Sequence, residues 1–447
     1  MVLLPEVKKA ISMLESAGFE AYAVGGCVRD SLLGKNPTDY DVTTSALPEE
    51  MKIVFKNERF IETGIKHGTL TVIIDSYPIE ITTFRIDKDY SDNRHPLAVE
   101  FTRSLREDLA RRDFTVNALA YNDKTGIIDV FGGISDLEHG IIRCVGEPDK
   151  RFSEDGLRIM RALRFSSVLG FKIEEKTALS LYKNRELLNN ISAERLSSEL
   201  IKLLCGKNAA KVLVEHVDVL SVLVPELSVL KGFDQHHFRH YLDALEHTAA
   251  VLENVPPKPV LRLAALFHDI AKPLCQSFDE NKTAHYYGHS SLGAKLAEEI
   301  MTRLKFDNET RKSVCELILH HEDRFEASPK PIKHLLGKIG PEAYENLLLL
   351  MQADDLGKRP EYQEPQSFFE RYRKIAAEII EKEECFSLKN LAVNGTDLID
   401  IQVPPGPEMG KILSVLLEKV IEEELPNDKN SLLAFAKTIY QNKTGVM

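Results

Sequence analysis

The sequence has little of what marks secreted and membrane proteins. Its six cysteines are scattered over 447 residues, and no two of them form a C-x-x-C pair. We therefore expect reduced core cysteines in a cytoplasmic protein rather than a disulfide framework. No apolar run approaches the roughly 20 residues of a membrane span, and the N-terminal pattern is that of an amphipathic helix rather than a signal peptide. We expect no membrane partner.

A general excess of positive charge is also missing. The formal net charge is −12, which argues against indiscriminate binding to nucleic acid. It leaves room for an RNA-binding surface, because only the contact face has to be basic. The hydrophobic fraction of 43% and the charged fraction of 28% are ordinary for a globular protein. The length exceeds that of one typical domain, so we expect three or four domains.

Residues 23–44, AVGGCVRDSLLGKNPTDYDVTT, carry the strongest chemical signal. A Gly-Gly pair ending at Gly26 precedes Arg29, and glycines allow backbone N–H groups to approach a phosphate closely. Asp39 and Asp41 follow, and alternate residues of a strand point to the same face. Two carboxylates aimed at one point repel unless a cation lies between them, and Mg²⁺ prefers such hard oxygen ligands. The pattern indicates a nucleotidyltransferase site, although an isolated D-x-D is more often a surface turn.

Downstream segments strengthen this interpretation. Glu80, in the β-rich run IEITTFR, offers a third carboxylate from a neighbouring strand, as a two-metal site requires. Three further motifs follow, EDLARRDFTVNALAY at 107–121, EDGLRIMRALRF at 154–165 and SAERLSSEL at 192–200. In this order the segments closely resemble the tRNA CCA-adding enzymes and bacterial poly(A) polymerases of the class II nucleotidyltransferase family.

The fold class that we predict is an α/β nucleotidyltransferase head followed by a long all-α body. The head is a small mixed sheet with helices, because β-like runs alternate with helical patterns up to about residue 145 and then almost vanish. The predicted domains are a nucleotidyltransferase head at 1–145, a helical, nucleotide-selecting and RNA-binding neck at 146–232, a helical metal domain at 233–358, and a helical, tRNA-binding tail at 359–447. The polar segment 84–104 is predicted to be a mobile loop of the head.

The resemblance implies roles for individual residues of the head. Asp39, Asp41 and Glu80 would be catalytic, with Mg²⁺ held by the two aspartates. The nucleotide-binding residues that it implies are Gly26, Arg29, Arg112, Asp113, Asp155, Arg158, Arg161 and Arg164. Asp155 and Arg164 would act as a protein template, because a carboxylate and a guanidinium complement the Watson–Crick edges of cytosine and adenine but not those of uracil and guanine. The alternative for the spaced arginines is a solvated face with ion pairs.

A second group of residues lies in the α-helical half. The order H…HD…H…H…D resembles the HD superfamily of metal-dependent phosphohydrolases. Imidazole and carboxylate together suit transition metals, so Ni²⁺, Co²⁺, Mn²⁺ or Fe²⁺ is the expected ion. A lone histidine in an apolar helix is usually structural, but an adjacent His-Asp pair is much less usual. The candidate ligands are His247, His268, Asp269, His289, His320, His321 and Asp354.

Taken together, the motifs predict a CTP/ATP:tRNA nucleotidyltransferase that adds the terminal CCA without a nucleic-acid template, with tRNA, CTP and ATP as partners. The segment 84–104 argues against a CC-only enzyme, which tends to lack it in this family. The sequence does not separate this function from A-only addition or poly(A) synthesis. The rival from another class is a phosphohydrolase whose head only binds RNA. The sequence leaves the oligomeric state open.

Overall fold

The computed structural model describes residues 2–90 and 96–444, and it describes no side chains at 87–90, 96–99 and 442–444. The chain divides into two compact units, one of residues 1–228 with 303–306 and one of residues 229–302 with 307–447. No helix in the described part of the chain is long and apolar enough to cross a bilayer. The finer division into four domains stays a prediction.

The first unit begins with an α/β head, as predicted. Its strands are β1 (Ala21–Val24), β2 (Asp41–Thr44), β3 (Arg59–Ile61), β4 (Thr69–Ile74), β5 (Tyr77–Thr83), β6 (Arg85–Tyr90), β7 (Pro96–Phe101), β8 (Leu119–Asn122), β9 (Gly126–Asp129), β10 (Ile141–Ile142) and, beyond the head, β11 (Lys172–Ile173). Its α-helices are α1 (Pro5–Ser16), α2 (Gly26–Leu32), α3 (Pro48–Val54), α4 (Leu105–Ala110), α5 (Gly133–His139), α6 (Pro148–Glu154), α7 (Leu157–Leu169), α8 (Glu175–Lys183), α9 (Ala193–Leu204), α10 (Ala209–Glu215) and α11 (Val217–Leu220).

Seven strands form a mixed sheet in the order β3-β4-β5-β2-β1-β8-β9. Only β2 and β5 run parallel within it, and their register sets Asp41 opposite Glu80. Alternation decides which side of β4 is buried: Leu70, Val72 and Ile74 are fully buried and the residues between them are not. The sheet therefore brings the two predicted catalytic strands next to each other.

The segment 84–104 is not a plain loop where the structure describes it. β6 and β7 pair antiparallel, with Arg85 opposite Phe101. The β-branched Ile86 and the aromatic Phe101 favour this extended pairing over the loop that the polar composition suggested. Residues 91–95 of the predicted mobile loop lie outside the described residues.

The second unit is almost entirely helical. Its helices are α12 (Ala244–Asn254), α13 (Pro259–Phe267), α14 (Lys272–Cys275), α15 (His289–Arg303), α16 (Asn308–His320), α17 (Pro329–Ile339), α18 (Pro341–Leu356), α19 (Gln366–Glu381), α20 (Gly395–Asp400), α21 (Pro407–Ile421) and α22 (Lys429–Thr444), with a short hairpin of β12 (Ser277–Phe278) and β13 (Ala284–His285). α13 is buried from Leu261 through Phe267, as expected of a helix that is apolar all round and lies at the centre of a helical cluster. α12, α16 and α18 pack against it.

Candidate active site and candidate metal centre

The three predicted carboxylates of the head lie around the start of β2. Asp41 is the first residue of that strand. Asp39 precedes the strand, so the prediction that both aspartates lie on one strand is wrong for Asp39. Asn36-Pro37 favours a turn there, which delays the start of the strand. Burial raises the pKa of Asp41, the Arg112 guanidinium opposes this, and the nearby charges of Glu80 and Asp39 raise the pKa further. The mutual repulsion of these carboxylates is what a bound cation would relieve.

Backbone geometry positions the arginines beside these carboxylates. Gly25 has φ +78°, and a Cβ at this position would lie 3.0 Å from Nη1 of Arg112. Only glycine combines this conformation with so close an approach. Arg112 Nη2 in turn lies 3.4 Å from Oδ2 of the fully buried Asp108. Asp108 was missed in the sequence, where its only signal is its position ahead of the Arg111-Arg112 pair.

A chain of polar contacts links Arg29 to the helical neck. Arg29 Nη1 donates to Oδ1 of Asn117 at 2.6 Å, and Asn117 Nδ2 donates to Oδ1 of Asp113 at 3.1 Å. Arg161 Nη2 lies 2.6 Å from Asp113 Oδ2. Burial raises the pKa of Asp113, but Arg161 and the hydrogen bond from Asn117 more than offset this and hold it well below its usual range. Asp113 therefore stays ionised and fixes the arginines.

Three arginines surround one aromatic ring. The guanidinium carbons of Arg29, Arg161 and Arg164 lie 5.1, 5.3 and 4.0 Å from the ring centre of Phe165. Cations stack favourably on an aromatic face, which offsets part of their mutual repulsion. Burial lowers the pKa of Arg164, and the neighbouring Arg161 adds to this. Such a concentration of guanidinium groups suits a polyanionic ligand.

Asp155 does not lie on the helix that carries the arginines. It ends α6 with an extended backbone, and α7 begins only after Gly156. Its Oδ2 lies 3.0 Å from Nη2 of Arg195, while Arg164 Nε lies 3.1 Å from Glu199 Oε2. Both predicted template residues thus form ion pairs with residues of α9. The spacing of residues within one motif does not predict such contacts between segments.

Arg158, another predicted nucleotide-binding residue, makes its contacts within the protein. It is buried, and its guanidinium bonds Glu154 Oε2 at 2.7 Å and the carbonyl oxygens of Arg151 and Arg111 at 3.1 and 2.8 Å. These bonds join the end of α6 to the segment after α4. Its predicted contact with a nucleotide stays a prediction.

The helical unit brings together most of the second predicted group. One ligand atom from each of His247, His268, Asp269 and Asp354 lies within 4.8 Å of the others, and the same holds for Asp269, His289 and His321. Asp269 is shared by both sets, as in a site for two ions. Within residues 2–90 and 96–444, only these two sets bring three or more ligand atoms within 4.8 Å of one another. The ligand atoms of Asp39, Asp41 and Glu80 in the head therefore lie farther apart.

Backbone carbonyl groups orient all four imidazoles of this centre. The Nδ1 atoms of His268, His289 and His321 lie 2.8, 2.8 and 2.6 Å from the carbonyl oxygens of Ala265, Tyr286 and Ile318. Nδ1 of His247 lies 3.3 Å from the carbonyl oxygen of Gly357. Each Nδ1–H thus donates outward, and each Nε2 lone pair faces the centre.

The spacing of the imidazole nitrogens at this centre suits a metal ion. The Nε2 atoms of His247 and His268 are 3.4 Å apart, as are those of His289 and His321. Lone pairs that face one another fit a shared cation. Burial raises the pKa of Asp269, but His268 and Lys272 more than offset it and hold the pKa well below its usual range.

His320 is the one predicted ligand that turns away. Its Nδ1 lies 2.5 Å from Oδ2 of Asp323. Two lysines that the sequence reasoning missed stand at the centre instead. Lys272 Nζ lies 2.6 Å from Asp269 Oδ2, and Lys358 Nζ lies 3.2 Å from Asp354 Oδ2. Their signal was their placement three and four residues after a predicted ligand.

Both units match families of known proteins. Residues 21–143 match the poly A polymerase head domain, 170–231 the probable RNA- and SrmB-binding site of polymerase A, and 285–436 a putative tRNA nucleotidyltransferase domain 2. The CCA-adding enzyme of Ligilactobacillus salivarius is 36% identical over 98% of each chain. That of Lactiplantibacillus plantarum is 34% identical over 98% of this chain and 96% of its own.

Solved structures of CCA-adding enzymes are also similar to this chain. The Bacillus stearothermophilus CCA-adding enzyme in complex with CTP superposes with a TM-score of 0.71 at 30% identity, with 100% of both chains covered. The Thermotoga maritima CCA-adding enzyme complexed with tRNA shares the fold, with a TM-score of 0.55 at 21% identity over 98% of this chain and 96% of its own. With a nucleotidyltransferase head, a helical body and relatives matched over nearly their whole length, the chain belongs to the family of CCA-adding enzymes.

Proposed function

We propose that the protein adds cytidine, cytidine and adenosine to the 3′ end of tRNA without a nucleic-acid template. The observation that carries this is the set of carboxylates around the start of β2, beside the Arg112 guanidinium. In the reaction the 3′-hydroxyl oxygen of the RNA bonds to the α-phosphorus of CTP or ATP. The bond to the β-phosphate bridging oxygen breaks, and pyrophosphate leaves.

Asp39 and Asp41 would hold Mg²⁺, with Glu80 beside them. These residues fit Mg²⁺ because they offer hard oxygen donors. The nearby charges of Glu80 and Asp39 also help to raise the pKa of Asp41, and a bound cation would relieve this repulsion. When bound, Mg²⁺ activates the attacking hydroxyl and neutralises the charge on the leaving group. Arg29 and Arg112 hold the triphosphate by charge-assisted bonds, and Gly25 and Gly26 leave room for it.

Base selection is assigned to Asp155 and Arg164. Cytosine and adenine each present an amino donor beside a ring-nitrogen acceptor, which a carboxylate and a guanidinium complement. Uracil and guanine present a carbonyl and an N–H instead, so both contacts fail. The ion pairs with Arg195 and Glu199 hold the two side chains at fixed positions, as template groups require.

The test of this function is incorporation into tRNA that lacks its 3′ end. CTP and ATP are supplied separately and together, and the product is read by its length. Two cytidines with CTP alone and the full triplet with both nucleotides support the proposal. Adenosine addition without prior cytidines identifies the alternative, an A-adding enzyme or a poly(A) polymerase.

A second function is proposed for the helical unit, a metal-dependent phosphohydrolase of the HD type. What favours it is the convergence of four inward-facing Nε2 atoms on Asp269 and Asp354. His247, His268, Asp269 and Asp354 would hold one ion, and Asp269, His289 and His321 a second. Ni²⁺, Co²⁺, Mn²⁺ or Fe²⁺ suits this donor set, and such an ion supplies a water of lowered pKa as nucleophile.

The substrates proposed for this centre are 2′,3′-cyclic phosphates or phosphomonoesters at damaged RNA ends. The assay compares wild type, Asp39→Ala and the double variant His268→Ala with Asp269→Ala, on a cyclic nucleotide and on a generic phosphoester with each metal. Hydrolysis that survives the first change and is lost in the second supports the function. Absence of hydrolysis with every metal rejects it.

A further inference from the structure

A second cavity adjoins the metal centre within the helical unit. The metal centre opens into a cavity of 420 Å³ that includes Asp269, His321 and Asp354 in its wall. The second cavity has a volume of 340 Å³, within the usual range for small-molecule sites. It takes its walls from α18, α19 and the segment after α16, through Phe325, Leu348, Met351, Phe368, Phe369 and Tyr372.

The walls of the second cavity are aromatic and fixed in place. The ring centres of Phe325 and Tyr372 lie 5.2 Å apart in an edge-on arrangement, and Phe368 lies 5.0 Å from Tyr372. The hydroxyl of Tyr372 donates to the carbonyl oxygen of Phe325 at 2.5 Å, which locks the ring. Rigid rings around a concave space suit a flat, unsaturated ligand.

Three basic side chains belong to the walls of both cavities, Arg239, Arg324 and Lys358. Lys358 is buried and bonded to Asp354 and Asp355. Arg239 and Arg324 are exposed, and neither forms an ion pair with a carboxylate in the part of the chain that the structure describes. Positive charge at the junction, with a metal centre on one side, suits a phosphate group there.

The rim of the aromatic cavity adds hydrogen-bond acceptors. Glu364 lines it, and its carboxylate has no ion-pair partner among residues 2–90 and 96–444. An exocyclic amino group can donate to such a carboxylate, whereas an alkyl chain offers nothing to it. Aromatic walls, a free carboxylate and an adjoining cationic junction together select a nucleobase over an acyl chain.

We propose that the two cavities form one nucleotide site, in which the base of a nucleoside phosphate lies among Phe325, Phe368 and Tyr372 while its phosphate lies at the metal centre. This deepens, and rests on, the proposed phosphohydrolase function. Water oxygen bonds to phosphorus, the bond to the nucleoside oxygen breaks, and that oxygen leaves with a proton, which gives the nucleoside and inorganic phosphate. The base can belong to a free nucleotide or to the 3′-terminal nucleotide of an RNA.

The first test measures selectivity for the base. Adenosine monophosphate, an RNA with a 3′-phosphate and ribose 5-phosphate, which lacks a base, are compared in wild type and Phe368→Ala. Because stacking on one ring is lost, we expect kcat/KM for the two base-containing substrates to fall roughly tenfold and that for ribose 5-phosphate to stay constant. The matched control is Phe278→Ala, at an exposed phenylalanine of the same unit that lines neither cavity.

The second test does not need hydrolysis. A photoreactive azidoadenosine monophosphate is crosslinked to the full chain, and the labelled peptides are identified by mass spectrometry, which separates label in the head from label in the cavity. Label on peptides that contain Tyr362 or Tyr372, reduced by Phe368→Ala and not by Phe278→Ala, supports the nucleotide site. If label appears there without any hydrolysis, the nucleotide site stands and the phosphohydrolase function fails.

The opposite result is equally informative. Hydrolysis of ribose 5-phosphate and adenosine monophosphate with equal kcat/KM, together with no label in the aromatic cavity, overturns the nucleotide site and leaves the phosphohydrolase function intact. Faster reaction of the RNA than of the free nucleotide identifies the RNA end as the source of the base. The reverse order identifies free nucleotides.

Discussion

The two candidate sites hold metal-binding groups in contrasting ways. In the head, carboxylates come from a strand start, the irregular segment before it and a neighbouring strand, and no three of their ligand atoms in the described residues lie within 4.8 Å of one another. In the helical unit, two overlapping sets of ligand atoms lie within that distance. One site has only hard oxygen donors, and the other has imidazoles already aligned by backbone carbonyl groups.

This contrast follows from the chemistry that each site would perform. A nucleotidyltransferase receives part of its metal coordination from the phosphates of the substrate, and Mg²⁺ keeps few protein ligands. Its carboxylates therefore need not converge before the substrate arrives. A centre that holds a transition metal permanently needs a complete set of ligands, with their tautomers fixed by outward hydrogen bonds. The two sites can be separated experimentally on this basis.

The largest expected effect belongs to Asp41. Asp41→Ala removes a carboxylate that would hold Mg²⁺, and the loss of several kcal/mol of transition-state stabilisation lowers nucleotide incorporation by about 1,000-fold or more. tRNA binding and hydrolysis by the helical unit stay unchanged. Incorporation is measured on tRNA lacking its 3′ end at millimolar Mg²⁺, with Asp75→Ala, which removes an exposed carboxylate of the head, as control. Wild-type-like incorporation by Asp41→Ala would remove the head site from the mechanism.

The next effect tests the other side of the comparison. His268→Ala removes one of the aligned Nε2 donors, so we expect the full chain to lose about 100-fold in affinity for Ni²⁺ or Mn²⁺ while Mg²⁺-dependent incorporation continues. Bound metal is measured by elemental analysis after dialysis. His320→Ala is the matched control, because His320 turns away to Asp323. Equal metal loss in both variants would contradict the assignment of ligands.

The sequence predicted the secondary structure of the head better than the contacts between segments that lie far apart in the chain. The mixed sheet and the helical body follow from local patterns, because strand alternation and motif spacing are local properties. Alternation did not predict that Asp39 lies outside the strand that begins at Asp41. The pairing of Asp155 with Arg195 does not follow, since it joins segments 40 residues apart through tertiary packing. The break at Gly156 also places Asp155 outside the helix that carries Arg158, Arg161 and Arg164, although the four residues lie in one motif.

A smaller effect concerns which base the head accepts. Asp155→Ala removes the carboxylate that would accept from the amino group of cytosine, so we expect the preference for CTP over UTP to fall by about 10- to 100-fold. Turnover with CTP falls less than the preference does. The ratio of kcat/KM for CTP and UTP is the measurement. Arg195→Ala, which removes the partner of Asp155 and keeps the carboxylate, separates positioning from direct contact, because it should leave part of the preference intact.

The smallest effect tests how the head site is supported. Gly25→Ala places a side chain at φ +78° and sets its Cβ 3.0 Å from Nη1 of Arg112. The backbone strain costs about 1–3 kcal/mol of folding stability, and displacement of Arg112 raises the KM for CTP and ATP severalfold. Gly126→Ala is the control, since Gly126 has φ +74° and nothing within 4 Å of an added Cβ. Chemical denaturation should show a loss of stability in both variants, and only Gly25→Ala should raise KM. A normal KM in Gly25→Ala would mean that Arg112 does not hold the triphosphate, and the support of the head site would then have to come from Arg29 and the arginines around Phe165.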